Sequence, residues 1–111
     1  MSQPLPATDY HTVTPYLVVE NVPRLLQFLK DAFGAAERMR LPRPDGSVMH
    51  AEAILGDSII MMGEPTAKFG PMPASIYLRV PDADAAYRAA LVAGATSVIS
   101  PILPFAPRVP A

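Results

Sequence analysis

The sequence predicts an α+β fold of tandem βαβββ modules, the second incomplete, and three observations lead there. The first is an internal repeat: Tyr16-Leu17-Val18-Val19-Glu20-Asn21 precedes a helical pattern closed by Phe33-Gly34-Ala35, and Tyr77-Leu78-Arg79-Val80-Pro81-Asp82 precedes another closed by Ala93-Gly94-Ala95. The capping Asn21 and Asp82 stand 61 residues apart. The second is periodicity, which runs strand, helix and then three strands before residue 64. The third is a segment bearing Pro65, Gly70, Pro71 and Pro73, after which the pattern restarts. The chain thus divides into a flexible tail (1–9), a first module (10–64), a linker (65–73), a partial second module (74–100) and a proline-rich tail (101–111).

Residues 10–19 are rich in β-branched and aromatic side chains and read as the first strand. Asn21 can accept from the first free helical amides, Pro23 suits an opening turn, and Leu25, Leu26, Phe28, Leu29 and Phe33 form an apolar stripe. Gly34 supplies a left-handed stop. Residues 36–41 suit a short strand, and Asp45-Gly46 in the following turn readily provides the positive φ of a hairpin. Residues 48–55 return as the next strand. A tight turn at Gly56-Asp57 then leads into residues 58–62, whose nearly continuous apolar run implies burial on both faces.

Past the linker, residues 74–80 restart as a strand, and Asp82 caps a helix whose Ala85, Ala86, Ala89, Ala90 and Leu91 form a small-residue face. Residues 97–100 read as the strand after it. Pro101, Pro104, Pro107 and Pro110 recur every third residue, the turn of a polyproline II helix, which excludes a central strand.

Composition excludes several classes of function. A hydrophobic fraction of 50%, a charged fraction of 17% and a net charge of −1 describe a globular chain with no electrostatic footprint for nucleic acid or an anionic membrane. With no cysteine there is no disulfide, thiolate nucleophile or sulfur-bound metal. The N-terminus lacks signal-peptide character and no apolar run reaches membrane-spanning length, so a cytoplasmic protein is expected. No glycine-rich phosphate loop, nucleophile elbow or His-Glu helical zinc motif occurs, which sets aside nucleotide-dependent and serine-hydrolase chemistry.

Among polar residues, His50 and Glu52 share one face of the third strand by period-two alternation. Two readings stand: a catalytic pair, in which the carboxylate orients a general base or both ligate a metal weakly, or a hydrogen-bonded pair on a half-exposed sheet. His11 lies near the tail on the opposite parity and reads as solvated. Tyr16 and Tyr77 occupy equivalent places in the repeat, as ligand donors on a cleft floor or as core. Met61, with Met39, Met49 and Met62, offers an adaptable apolar ligand surface or ordinary sheet core. Arg38, Arg40 and Arg43 flank the hairpin, where a guanidinium could receive an anionic ligand group or simply form a solvated rim.

The segments Thr14-Pro15-Tyr16-Leu17-Val18-Val19, Phe28-Leu29-Lys30-Asp31-Ala32-Phe33-Gly34-Ala35, Pro44-Asp45-Gly46-Ser47-Val48-Met49-His50-Ala51-Glu52 and Leu55-Gly56-Asp57-Ser58-Ile59-Ile60-Met61-Met62 resemble the vicinal oxygen chelate superfamily. That group includes glyoxalase I, bleomycin- and fosfomycin-resistance proteins and extradiol dioxygenases, and the wording is closest to its PhnB-like branch. The resemblance implies curled mixed sheets that together form an open half-barrel, with a concave face holding a divalent metal or an organic ligand. Metal-using relatives place a His seven residues before the positions of Asn21 and Asp82, which here are Thr14 and Ser75. Hydroxyls are poor primary ligands, and Glu64 matches a third ligand position.

The resemblance therefore leads to the expectation of a small organic ligand held without a tightly bound metal. The alternatives are a metal-dependent lyase or dioxygenase of glyoxalase type using His50, Glu52 and Glu64, and a non-catalytic oligomerisation unit. Because the second module stops early, a homodimer is expected to cover its open edge, with exchange of elements as one route.

Overall fold

The computed structural model describes residues 10–98. The two tails and residues 99–100 of the expected last strand lie outside the described residues. In chain order the elements are β1 (Tyr16–Val18), α1 (Val22–Phe33), β2 (Ala36–Pro42), β3 (Val48–Leu55), β4 (Ser58–Gly63) and α2 (Ala83–Ala93). The fold is α+β: four strands make one mixed sheet in the order β1-β4-β3-β2, open at both edges, with two helices.

The three-strand meander is antiparallel, whereas β1 lies parallel to β4 with Tyr16 opposite Met61 and Leu17 opposite Met62. This parallel pairing needs a long return path, and α1, β2 and β3 supply it. Helix α1 turns Val22, Leu26, Leu29 and Ala32 inward. Of these, Val22, Leu26 and Leu29 pack with Leu17, Ala51, Ala53, Ile60 and Met62 into the core. By period-two alternation, His50 and Glu52 on β3 belong to the other face, away from α1.

Both ends of α1 follow their local chemistry. Asn21 adopts left-handed backbone (φ 60°) while its side chain accepts from the Arg24 amide, and Gly34 (φ 72°) closes the helix. No acidic residue stands in the first turn. Glu64 fills that role from the end of β4: its Oε2 accepts from the Val22 amide at 2.7 Å and its Oε1 from the Val48 amide at 2.7 Å. One carboxylate thereby ties helix, hairpin and β4 together, using the positive end of the helix.

Three expected strands differ from the structure, the last of them in its described residues. The first is only Tyr16–Val18: residues 10–14 lie outside any strand, although the Pro15 carbonyl still accepts from the Met61 amide at 2.9 Å. Residues 74–80 form no ladder; at the β1 edge the strand is only three residues long, and its Val18 is already bridged to Met72. Residues 97 and 98 are likewise outside any strand. Helix α2 forms as expected, capped by Asp82 and Gly94, and it packs against α1 without burying any residue fully.

No helix among the described residues is long and apolar enough to cross a membrane.

Candidate functional site

The sheet face turned away from α1 carries a connected polar network centred on Glu52. This carboxylate is only 2% exposed. A buried, unsatisfied carboxylate would be costly, and the surrounding groups resolve that cost by donating to both of its oxygens. Tyr10 OH donates to Oε1 at 2.8 Å, the Arg38 Nη1 lies 3.1 Å from the same oxygen, and His50 Nε2 lies 2.8 Å from Oε2. Arg38 also lies over the Tyr10 ring, its Cζ 4.7 Å from the centroid. Burial alone would push the Glu52 carboxyl up. The hydrogen bonds from His50 and Tyr10 and the Arg38 charge outweigh it, holding the carboxyl below its ordinary value. The same bond pushes the Tyr10 phenol up, because the phenolate would face the Glu52 carboxylate.

An ionised carboxylate only accepts, so the shared proton of the His50–Glu52 contact sits on Nε2. In the neutral imidazole Nδ1 then keeps its lone pair, and it faces the Tyr16 hydroxyl at 3.3 Å. The two rings stand 5.5 Å apart between centroids, tilted by 41°. The result is a chain of polar groups, Tyr16–His50–Glu52, running from a half-exposed phenol to a buried carboxylate.

Tyr16 opens onto a hollow of about 380 Å³ walled by Val18, Met49, Phe69 and Met72, with Arg43 and Glu64 at its polar side. Arg43 is anchored there by bonds to the Ser47 hydroxyl and the Glu64 carbonyl, each 3.0 Å. Gly63 forms part of the wall for a steric reason. A Cβ at this position would stand 2.7 Å from the Met49 carbonyl oxygen and 3.1 Å from the Tyr16 hydroxyl.

Of the residues singled out from sequence, the structure brings His50, Glu52 and Tyr16 together. Met61 pairs with both Tyr16 and Glu52 across the sheet and so shares their face. The others lie elsewhere. Tyr77 is 85% exposed, and Arg40 forms a surface pair with Glu37 at 2.7 Å. Glu64 commits both oxygens to backbone amides, Thr14 borders a separate hollow beside residues 76–82, and Ser75 is exposed. Among the described residues, no group of three or more His, Asp or Glu is placed to hold a metal ion.

Tyr10 was not singled out from sequence, and Arg38, read there as a receiver of an anionic ligand or part of a solvated rim, is instead buried against Glu52. Arg38 sits where the β2–β3 register shifts between Glu37 and Met39, and its guanidinium meets the Glu52 carboxylate there. Plain alternation along β2 does not reveal such a shift. Tyr10 reaches Glu52 from a segment, residues 10–14, that lies outside any strand.

No family model and no solved structure matches the chain. Curated relatives do: an uncharacterized protein of Mycobacterium bovis is 35% identical over 98 residues, covering 78% of this chain and 64% of its own length. Uncharacterized proteins of two Mycobacterium tuberculosis strains match at the same 35%, with 57% of their length covered. The chain thus spans under two thirds of the length of these relatives.

Proposed function

We propose that this chain is a glyoxalase/bleomycin-resistance-like protein of the vicinal oxygen chelate superfamily. On this reading it binds a small organic ligand in the hollow beside Tyr16, without a tightly bound metal. The observation that carries the reading is the combination at one place of an apolar wall and a phenol backed by a half-buried His50 and a buried Glu52. The order strand, helix and three-strand meander, followed by a second capped helix, supports a first βαβββ module and the start of another.

The donor set argues against a resident divalent ion. Both Glu52 oxygens already have partners, one of them the cationic Arg38, and a second cation there would be repelled. Glu64 is committed to amides, and Thr14 and Ser75 offer only hydroxyls. A homodimer belongs to the same proposal, supported by the exposed Ile76, Tyr77, Leu91 and Val92 around α2.

The test uses 1-anilinonaphthalene-8-sulfonate, whose rings suit Phe69 and Met72 and whose sulfonate suits Arg43. Methionine-methyl NMR during titration should move Met49 and Met72, which line the hollow, and leave the buried Met62 in place. A response confined to other methyls, or none at millimolar probe, overturns the site.

A further inference from the structure

We propose that Glu52 and Arg38 form a second ligand site, that Tyr10 is its built-in occupant, and that the site takes a free phenol in exchange for Tyr10. The site is separate from the hollow beside Tyr16, whose walls include neither Glu52 nor Arg38, and the inference does not rest on that hollow.

The two halves of the contact are held in different ways. The receiving half stands on paired strands: Arg38 on β2 and Glu52 on β3 are 3.1 Å apart, with side chains only 4% and 2% exposed. His50 secures the other Glu52 oxygen at 2.8 Å, so the carboxylate keeps two of its partners when Tyr10 leaves. The occupying half is carried by residues 10–14, which lie outside any strand and in which His11, Thr12 and Val13 are exposed. A buried ion pair on a rigid sheet is thus closed by one half-buried ring on a segment outside that sheet. Leaving therefore breaks contacts of the segment and none of the ladder.

The contacts of Tyr10 spell out what the site selects. Its hydroxyl donates to Glu52 Oε1 at 2.8 Å, and its ring lies under the Arg38 guanidinium, 4.7 Å from Cζ to the centroid. An ionised carboxylate only accepts, so an occupant must bring a donor. The guanidinium favours the face of an aromatic ring. A phenol meets both demands with one rigid group. An arene carboxylate would set its charge against that of Glu52, an aliphatic alcohol would leave the guanidinium without a ring, and a bare arene would leave Oε1 without the donor that Tyr10 supplies.

The test uses p-cresol, the tyrosine side chain as a free molecule, on the full chain with carbon-labelled tyrosine rings followed by NMR. Millimolar p-cresol should move the Tyr10 ring signals toward those of free tyrosine while leaving the exposed Tyr77 in place. The Met61 methyl, on the Glu52 face, reports affinity with or without Tyr10. Tyr10→Gly removes the competitor and should bind p-cresol about tenfold more tightly than wild type, because apparent affinity scales with the fraction of sites that stand open. Toluene should bind that variant at least about tenfold more weakly than p-cresol, having no hydroxyl for the carboxylate.

An unmoved Tyr10 ring at millimolar p-cresol would overturn the proposal, and that measurement needs no variant to fold. Equal affinities of wild type and Tyr10→Gly, or of p-cresol and toluene, would overturn it as well. Movement of Tyr16 alone would place the phenol in the other hollow, removing the second site while leaving the first, so the two failures are distinguishable.

Discussion

The unit from Tyr16 to Gly34 and the unit from Tyr77 to Gly94 have related sequences and opposite fates. Both make a helix, both begin it with a side-chain cap, and both end it on a left-handed glycine. Only the first strand joins a sheet and only the first helix is buried along one face, whereas α2 buries no residue fully. Caps and helical periodicity are local properties, and so they recur wherever the sequence recurs. Strand pairing and burial require partners, and only the first unit is followed by a described meander to provide them.

The contrast is sharpest in the core. Leu26→Ala should cost about 3 kcal/mol, since it removes a buried side chain where α1 meets the sheet. Leu91→Ala, on the half-exposed α2, should cost under about 1 kcal/mol. Urea denaturation measures both, and equal losses would mean that α2 is part of the same cooperative core. Next in size is Glu64→Ala, expected to cost about 2–3 kcal/mol, because it leaves the Val22 and Val48 amides without their carboxylate. Helix α2 carries its own first-turn acid, Asp84, and so does not depend on a distant strand in that way.

These differences also explain how far the sequence could be read. Residues 48–55 form β3 as expected from their alternation, and α1 and α2 end at the glycines marked for that purpose. The pairing of His50 with Glu52 was legible because it depends only on period two within one strand. Residues 74–80 show the limit: Ile76, Leu78 and Val80 have strand chemistry, yet no described strand lies beside them to complete a ladder. Glu64 shows another limit, since a carboxylate at the end of a strand looks the same in sequence whether it awaits a ligand or a helix N-terminus. The contact of Tyr10 with Glu52 spans 42 residues of sequence and starts outside any strand, so residue type alone does not announce it.

The Glu52 network gives the first unit a pH dependence with two arms. The Glu52 carboxyl is held below its ordinary value of 4.5 in the folded protein, so its contribution is complete above that pH and is lost as pH falls through the lower folded value. Tyr10 is raised above its ordinary 10.0, so its contribution is complete below pH 10.0 and is lost as pH rises through the higher folded value. Thermal melts across pH should show wild-type stability falling on both sides. Glu52→Gln should flatten the acid arm, and Tyr10→Phe the alkaline one. An acid arm unchanged in Glu52→Gln would assign the titration to other carboxylates, such as Asp45, which its bonds from Ser47 also hold low.

The smallest expected effect separates the two caps themselves. Asn21 and Asp82 make the same bond to the third following amide, but Asn21 does so from left-handed backbone (φ 60°) and Asp82 from extended backbone (φ −133°). Alanine removes the capping oxygen at either site, and at position 21 it must also occupy a region that its Cβ disfavours, so Asn21→Ala should cost about 2 kcal/mol and Asp82→Ala about 1 kcal/mol. Glycine reverses the order. At position 21 it relieves the backbone and should be within about 0.5 kcal/mol of wild type, whereas at position 82 it only adds chain entropy to the lost cap. Melting curves of the four variants therefore test whether local backbone conformation, and not only the sheet, distinguishes the two halves of the repeat. If glycine cost the same at both positions, the left-handed cap at Asn21 would contribute nothing to the difference, and burial alone would account for it.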